Sequence, residues 1–347
     1  MSVWRQIRPA EQSRWKLEPV YLTLTLGDAH LRRSRRVRHK ACYRHGEMTS
    51  LHRCVVLLAL PALAACAQSM NYTDPAGPRF AGAGEVAPAP AWTGPHVVAA
   101  AASARVSTPD SLRVVTFNVK YAEQTGLAIE LLQTAPELRR ADIVMLQEMN
   151  EDAAAETAAA LGMNYVYYPA VLHPVPKKNF GNAILSRWPI TDDEKLILPS
   201  RSMSRGGQRA AVAATVLVGS ERVRVYAVHL STILEVWFTG QTYQIQALLE
   251  SAKGYDRVIM AGDMNSHDNV GALFTDAGYF WPSRNTGPTT HKLFAVDHVF
   301  ARGFTVGGSG AVKDNLGASD HLPVWASLAF PHEQQTALSG QPGNASP

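Results

Sequence analysis

The stretch VIMAGDMNS, residues 258–266, has the pattern of a buried strand that ends in an acid and an amide. Its first half is apolar, a small Ala-Gly pair allows a tight turn, and Asp263 and Asn265 follow. Side chains at positions i and i+2 of an extended chain point to the same face. The alternation therefore predicts that Asp263 and Asn265 converge on one spot, either as a plain polar strand end or as part of a site.

The composition is that of a globular protein with a sizeable core. The chain has 347 residues, 46% of them hydrophobic and 18% charged, enough for one large domain or two small ones. The net charge of +4 is unevenly placed: residues 1–47 hold 11 Lys/Arg against 4 Asp/Glu, whereas the chain from Cys66 onward holds 21 against 25. Downstream of Cys66 there is no concentrated basic stripe of the kind that follows a nucleic-acid backbone.

Residues 48–66, MTSLHRCVVLLALPALAAC, have the order of an export signal. Met48 is a possible initiator, Arg53 gives a positive start, and the apolar run of 55–63 is far short of the ~20 residues of a membrane-spanning helix. The stretch resembles a bacterial lipoprotein signal, which implies cleavage before Cys66 and a lipid anchor on its thiol. We therefore expect an envelope protein, with Ala67 favouring the outer membrane facing the periplasm.

Five segments follow from this pattern. We expect an upstream extension from a mis-assigned start (1–47), a lipoprotein signal peptide (48–65), a flexible Pro/Ala/Gly-rich tether (66–110), one ordered domain (111–330) and a polar tail (331–347). Cys42 and Cys54 lie upstream of the cleavage point, so no disulfide is expected in the mature chain.

Within 111–330, short β-rich runs alternate with helical patterns, which predicts an α/β fold. Because several strands adjoin without a helix between them, we expect two largely antiparallel sheets covered by helices rather than a doubly wound parallel sheet. The GGSG of 307–310 is predicted to be a turn. Strands are expected over 112–118, 142–147, 164–168, 181–185, 209–218, 223–230, 257–262, 296–301 and 322–329, and helices over 124–134, 151–161 and 240–253.

Polar residues capable of chemistry recur at the ends of these strands. Any one of them alone is more often a cap or turn residue, but six strand ends carrying Asn, Asp, Glu or His favour a site. Carboxylate and amide oxygens suit Mg²⁺, with Mn²⁺ or Ca²⁺ as alternatives, and metal-assisted attack of water on a phosphate ester. Zinc is disfavoured, since neither a Cys cluster nor H-E-x-x-H is present. The strand-end residues are Asn118, Glu148, His229, Asp263 with Asn265, Asp297, and Asp320 with His321.

The ordered series TFNVKY, LQE, GNAILSRWP, VYAVHLS, AGDMNS, VDHVFA and SDHLPV, spanning about 112–328, resembles the endonuclease/exonuclease/phosphatase (DNase-I-like) superfamily. The resemblance implies a four-layered α/β/β/α sandwich of two mixed sheets flanked by helices. It also implies roles for ten residues. These are Asn118, Glu148 and Asp320 at the metal; His229, Asp263, Asp297 and His321 in catalysis; and Asn265, Arg209 and Asn182 towards the substrate, although Arg209 is equally well read as a solvated strand start.

The motifs specify the reaction better than the substrate. We expect a divalent-metal-dependent phosphoesterase that acts on a phosphodiester or phosphomonoester, as a monomer held to a membrane through Cys66. Nucleic acid, phospholipid and small phosphodiesters all remain candidate substrates. Two alternatives stay open: a nuclease acting on DNA or RNA, and a non-catalytic envelope binding protein that keeps the fold.

Overall fold

The computed structural model of the chain describes residues 69–84, 108–174 and 177–331. The predicted upstream extension, the signal peptide, Cys66 and all but the first residue of the predicted tail lie outside these residues. Within the described ranges, no helix is both long and apolar enough to cross a lipid bilayer.

The larger sheet has eight strands. Its main path runs β1-β5-β6-β4-β3-β13-β12, with β2 added beside β5, and all neighbouring pairs are antiparallel except β3 and β4. The strands are β1 (Met70–Asn71), β2 (Phe80–Gly82), β3 (Ser111–Asn118), β4 (Ile143–Met149), β5 (Asn164–Leu172), β6 (Asn179–Ser186), β12 (Thr305–Ala311) and β13 (Val324–Ala329).

The smaller sheet has five strands in the order β11-β10-β9-β8-β7, of which only β9 and β10 run parallel. They are β7 (Ile190–Arg201), β8 (Gln208–Val218), β9 (Glu221–His229), β10 (Val258–Asp263) and β11 (Asp297–Arg302). The helices are α1 (Thr125–Thr134), α2 (Glu151–Leu161), α3 (Ile233–Ser251) and α4 (Asp268–Asp276), with a short 3-10 helix over Pro282–Asn285.

Because side chains alternate between the two faces of each strand, the sheets contribute to three apolar layers. Alternate residues of both sheets, such as Val114 and Ile259, pack into one core between the sheets. The other face of β3 and β4 packs on α1 and α2, and the other face of β10 packs on α3 and α4, for example Met260 near Leu248. The predicted four-layered α/β/β/α sandwich is thereby confirmed.

The helix ends follow local capping chemistry. Asn150 accepts a hydrogen bond from Ala153 N at the start of α2, and Gly162 takes a left-handed conformation at its end. Thr232 and Glu235 form a reciprocal capping box at the start of α3. This box brings α3 to begin directly after His229, the last residue of β9.

Two sequence-based expectations are wrong in part. Residues 69–84, assigned to a flexible tether, instead add β1 and β2 to the larger sheet by pairing with β5. The GGSG of 307–310, predicted to be a turn, lies inside β12, paired with β13 around a bulge. Small residues fit there because Trp325 lies across this strand, 3.2 Å from where a Cβ on Gly308 would stand.

Candidate functional site

The site lies at one end of the core between the two sheets. On β9, β10 and β11, three adjacent strands of the smaller sheet, alternate side chains face this core, and at the site end of each strand the core-facing residue is polar. Asp263 pairs in register with His229 on one side and with Asp297 on the other. Asn118 ends the same row on β3 of the facing sheet, after Val114 and Thr116. Period-two alternation therefore converts four strand ends into one buried polar cluster.

Asp263 is the centre of this cluster. One oxygen, Oδ2, accepts from Asn118 Nδ2 at 3.0 Å, and Oδ1 accepts from the backbone N of Asn265 at 2.9 Å. Burial, followed by the negative charge of Asp297, raises the pKa of Asp263 to about 6, although His321 and these hydrogen bonds oppose the rise. At neutral pH Asp263 is therefore an ionised base that takes up a proton readily.

His321 and Asp297 form a tightly bound pair. His321 Nδ1 lies 2.9 Å from Asp297 Oδ2, while its Nε2 lies 3.8 Å from Asp263 Oδ2. Burial lowers the pKa of His321, but the charge and hydrogen bond of Asp297, with smaller effects of Asp263 and Asp320, outweigh it and raise the pKa to about 10. His321 is thus an imidazolium, and its Nε2–H is directed towards the cluster. The second oxygen of Asp297, Oδ1, is buried and has no hydrogen-bond partner among the described residues.

His229 is held in the opposite protonation state. Burial and then the positive charges of Arg209 and His321 lower its pKa well below the usual value. Its Nδ1 lies 3.2 Å from Arg209 Nη1, which can only donate, so the proton of the neutral ring resides on Nε2. That Nε2 lies 3.4 Å from Asp263 Oδ2.

Glu148 reaches the site through a bulge in β4. The pairing of β4 with β6 shifts register between Leu146 and Met149, and Glu148 itself has φ +62°. Its carboxylate accepts from Asn118 Nδ2 at 3.0 Å and from Tyr121 N at 3.0 Å. Burial raises its pKa, and no Lys, Arg or His among the described residues forms an ion pair with it.

Two places in the site could be considered for a cation. Ligand atoms of Asp263, Asp297 and His321 all lie within 4.8 Å of one another. However, a protonated His321 has no free lone pair on Nε2, and its positive charge, 3.8 Å from Asp263 Oδ2, would repel a cation there. Among the described residues Glu148 has only neutral donors, so its half-buried negative charge is the better match for a divalent cation. The fit to the oxygen ligands predicted from the sequence is therefore good at Glu148.

The remaining predicted residues differ in their contacts. Asp320 is close enough to Tyr121 and His321 to raise the pKa of both. Asn265 has φ +49° and donates its Nδ2 to Leu230 O at 2.9 Å, so the extended alternation ends at Asp263. The predicted convergence of the two side chains is wrong for this reason, while binding of phosphate by Asn265 stays a prediction.

Arg209 and Asn182 have distinct surroundings. Arg209 contacts His229 and lies 3.5 Å from Glu235 Oε2, which places it beside the cluster rather than free in solvent. Asn182 is buried between the sheets and donates to Ala210 O at 2.8 Å, a contact that ties β6 to β8. Its predicted contact with substrate stays untested.

A cavity of about 120 Å³ opens beside Glu148, and the sequence analysis missed most of its wall. Tyr121, His173 and Phe180 form an aromatic cluster there, with Tyr121 5.0 Å from His173 and 5.5 Å from Phe180 between ring centroids. Arg205 and Arg209 supply positive charge on the same wall. Among the wall residues that were missed, Tyr121 lies in a motif that the sequence analysis quoted, TFNVKY, whereas His173, Phe180 and Arg205 come from separate strands and loops.

The comparisons with known proteins agree with this geometry. The model of the Endonuclease/Exonuclease/phosphatase family matches residues 115–321. A solved endonuclease/exonuclease/phosphatase from Beutenbergia cavernae is 23% identical and has a TM-score of 0.53, covering 64% of this chain and 72% of that one. One from Bacteroides vulgatus is 15% identical with a TM-score of 0.54, covering 64% and 100%.

The catalytic domain of human Nocturnin, solved with a bound sulfate anion, is 17% identical with a TM-score of 0.54, covering 64% of this chain and 95% of that one. Identities this low show a shared fold. No curated protein matches the chain in sequence. The family match covers more than half of the chain and extends from β3 to His321, so it includes every strand end that builds the cluster. The chain therefore belongs to the endonuclease/exonuclease/phosphatase family, whose members generally hydrolyse phosphate esters.

Proposed function

We propose that the chain is a divalent-metal-dependent phosphodiesterase that cleaves its substrate by attack of water on phosphorus. One observation carries the proposal: an ionised base, Asp263, lies within 3.8 Å of an imidazolium, His321, and shares Asn118 with a half-buried carboxylate, Glu148, that has no ion-pair partner among the described residues. This set pairs a proton acceptor with donors for an anionic phosphoryl group.

The residues divide the work by their protonation states. Asp263 orients the attacking water and takes its proton. The Nε2–H groups of His229 and His321 donate hydrogen bonds to phosphoryl oxygens, and Asp297 keeps His321 charged and correctly oriented through the 2.9 Å contact. Arg209 adds positive charge on the side of the cavity. Asp297 is thus a positioning residue, whereas the other side chains face the reacting group.

Glu148 would hold the cation, together with Asn118 and Asp320 as predicted from the sequence. Mg²⁺ is the expected ion, with Mn²⁺ or Ca²⁺ as alternatives, because every donor is a hard oxygen. When bound, the ion supplies charge stabilisation for the phosphoryl and leaving oxygens.

The proposal extends to the location and state of the chain. We place it as a monomer in the bacterial cell envelope, lipid-anchored at Cys66 and facing the periplasm from the outer membrane. Support comes from the sequence of residues 48–66. Mass spectrometry of the membrane-bound protein checks this: the N-terminal peptide should begin at Cys66 and carry acyl mass. An unmodified N-terminus at Met1 or Met48 contradicts the anchor.

The test of activity uses the full chain and bis-p-nitrophenyl phosphate. Hydrolysis should require Mg²⁺ and disappear with EDTA. Asp263→Asn and His321→Ala should each lower kcat at least about 100-fold. Asp268→Asn is the matched control, since Asp268 is an exposed carboxylate beside His267 and away from the cluster.

Two outcomes would favour the alternatives. Activity confined to DNA or RNA in a panel with phosphomonoesters and phospholipids supports a nuclease. Absence of activity on the whole panel, with a folded protein, supports a non-catalytic envelope binding protein.

A further inference from the structure

Large apolar side chains surround the site in solvent. Six of them, here called the apolar rim, come from the start of α3 and from two loops at the catalytic end, and their exposed fractions run from 53% for Phe238 to 86% for Leu234. Soluble proteins rarely leave so many large apolar groups exposed around one opening without a partner. The rim consists of Met203, Leu234, Trp237, Phe238, Leu293 and Phe294.

Hydrogen bonds fix both halves of the rim to the catalytic residues. On one side, Met203 N donates to Glu235 O at 3.0 Å, and the Glu235 carboxylate contacts Arg209. On the other side, His291 N donates to Asp320 O at 3.0 Å, immediately before Leu293. The loop of Leu293 and Phe294 also pairs with His321 through Thr290. The rim therefore flanks the phosphate site from two directions.

The backbone holds one aromatic ring out of the helix that carries it. Trp237 has φ +57° and ψ 169°, which interrupts α3 four residues after it starts and is a conformation rarely adopted outside glycine. Its indole is 66% exposed. Burial within the described fold does not account for this strained conformation, whereas a partner that receives the indole would.

The charge around the rim selects the kind of partner. Residues 199–209 carry three arginines and no acidic residue, and Lys177 and Lys178 lie on the hairpin between β5 and β6, whose His173 and Phe180 line the cavity. Exposed Trp, Phe and Leu beside basic residues suit the interface of a bilayer with anionic lipid.

We propose that the apolar rim is a membrane-docking face, which rests the catalytic end on phospholipid head groups. The site then meets a phosphodiester that belongs to a lipid head group; this last clause rests on the proposed function, whereas the docking does not.

The N-terminal strap, residues 69–84, supports the same orientation. Ser69 lines the cavity, and its backbone N donates to Arg205 O at 3.1 Å. Cys66 precedes Ser69 by three residues, so their Cα atoms can be at most about 11 Å apart. A lipid on Cys66 would therefore bring the bilayer to this end of the molecule, rather than leave the domain on a long tether.

The experiment maps lipid contact directly on the full chain. The protein is placed in phosphatidylcholine vesicles that contain phosphatidylglycerol and a phospholipid with a photoreactive head group, and cross-linked peptides are identified by mass spectrometry. We expect cross-links in the peptides of Leu234 to Phe238 and of Leu293 to Phe294. Phe280 and Tyr243 are internal controls, because they are comparably exposed aromatic residues, at 56% and 57%, that do not belong to the apolar rim.

A variant adds a second readout. Leu234→Gln combined with Trp237→Gln should lower cross-linking of the rim peptides at least fivefold, while Phe280→Gln leaves it unchanged. Cross-links spread evenly over the surface, or confined to the N-terminal segment, overturn the proposal. If a single-stranded oligonucleotide, but not lipid, shields the rim peptides from modification, the docking proposal is also overturned, in favour of a nucleic acid as the partner. Since no readout here depends on turnover, a failure of docking and a failure of the phosphodiesterase activity are distinguishable.

Discussion

Single titratable groups set the chemistry of this site, and Asp297 controls two of them. It faces Asp263 across one strand pair and holds His321 through Nδ1. Its charge raises the pKa of both neighbours, to about 6 for Asp263 after the larger effect of burial, and to about 10 for His321 despite burial. Beside this one buried carboxylate, the pKa values of the base Asp263 and the acid His321 therefore differ by several units.

The pH dependence of kcat/KM should reflect this arrangement. We expect activity to rise as Asp263 loses its proton near pH 6 and to fall as His321 loses its proton near pH 10. Asp297→Asn removes a negative charge from both groups, so both should become more acidic. Both limbs of the profile should then move to lower pH, with bis-p-nitrophenyl phosphate as substrate. Unmoved limbs in Asp297→Asn, as in the control Asp268→Asn, would refute the assignment.

The free energy of unfolding should also depend on pH through His321. The pKa of His321 is higher in the folded state, about 10 against 6.5, so its contribution is complete below pH 6.5 and is lost as the pH rises through 10. The free energy of unfolding of the wild type minus that of His321→Gln should therefore shrink between pH 6.5 and 10. Urea titrations at several pH values measure it, and a constant difference would contradict the raised pKa.

Replacement of Glu148 tests where the cation binds. Glu148→Gln keeps the shape of the side chain but removes its negative charge, so we expect the Mg²⁺ concentration for half-maximal activity to rise at least about tenfold. Glu156→Gln, an exposed position on α2, serves as the matched control. An unchanged Mg²⁺ requirement in Glu148→Gln would place the ion elsewhere, with the Asp263, Asp297 and His321 group as the next candidate.

Among the elements, β10 has the least room for change because it lies between β9 and β11. A Cβ on Gly262 would stand 1.7 Å from Val228 O, a backbone atom of the neighbouring strand. The glycine in AGD is thus required for the close approach that sets Asp263 beside His229.

We expect Gly262→Ala to lower the free energy of unfolding by about 3 kcal/mol or more, because backbone rather than a flexible side chain must move. Gly126→Ala is the matched control: nothing lies within 4 Å of its added Cβ in α1, so it should stabilise the fold by about 0.5–1 kcal/mol. Chemical denaturation of both variants checks the pair, and equal midpoints would contradict the packing argument.

Two strands that the sequence analysis missed, β7 and β12, lack the local pattern of a strand. β7 carries charged residues such as Lys195 and Asp193, and β12 is rich in glycine, so neither shows the apolar alternation expected of a strand. Lys195 is nevertheless buried, because its Nζ donates to Tyr72 O at 3.1 Å in the strap. Contacts from a distant segment, rather than local propensity, make these strands.

At the scale of the whole molecule, the strap joins the two sheets. It pairs with β5 of the larger sheet, and Arg79 forms two hydrogen bonds, at 2.6 and 2.8 Å, with Asp193 of the smaller one. Asn71 donates to Gly206 O and accepts from Gln208 N at 2.7 Å. The loop that carries Met203 and Arg205 therefore depends on the strap for its position.

Asn71→Ala should loosen that loop without unfolding the sandwich. Losing two hydrogen bonds is expected to lower the free energy of unfolding by about 2 kcal/mol. Amide exchange at Gln208 should speed up because its acceptor is gone. The control Asn269→Ala, an exposed position on α4, should change stability by less than about 0.5 kcal/mol. Unaltered exchange at Gln208 in Asn71→Ala would show that the strap does not hold the loop.

The sequence by itself determined most of the strands and the polar residues that stand at their ends. An apolar β-rich run is a local pattern, so Asn118, His229, Asp263 and Asp297 were found as polar residues at the ends of such runs, and the order of the motifs indicated the family. Tertiary structure alone decided that Asp263 stands between His229 and Asp297, that a bulge turns Glu148 to Asn118, and that the strap closes the cavity. Strand register, bulges and edge pairing depend on partners far along the chain, and no local pattern encodes them.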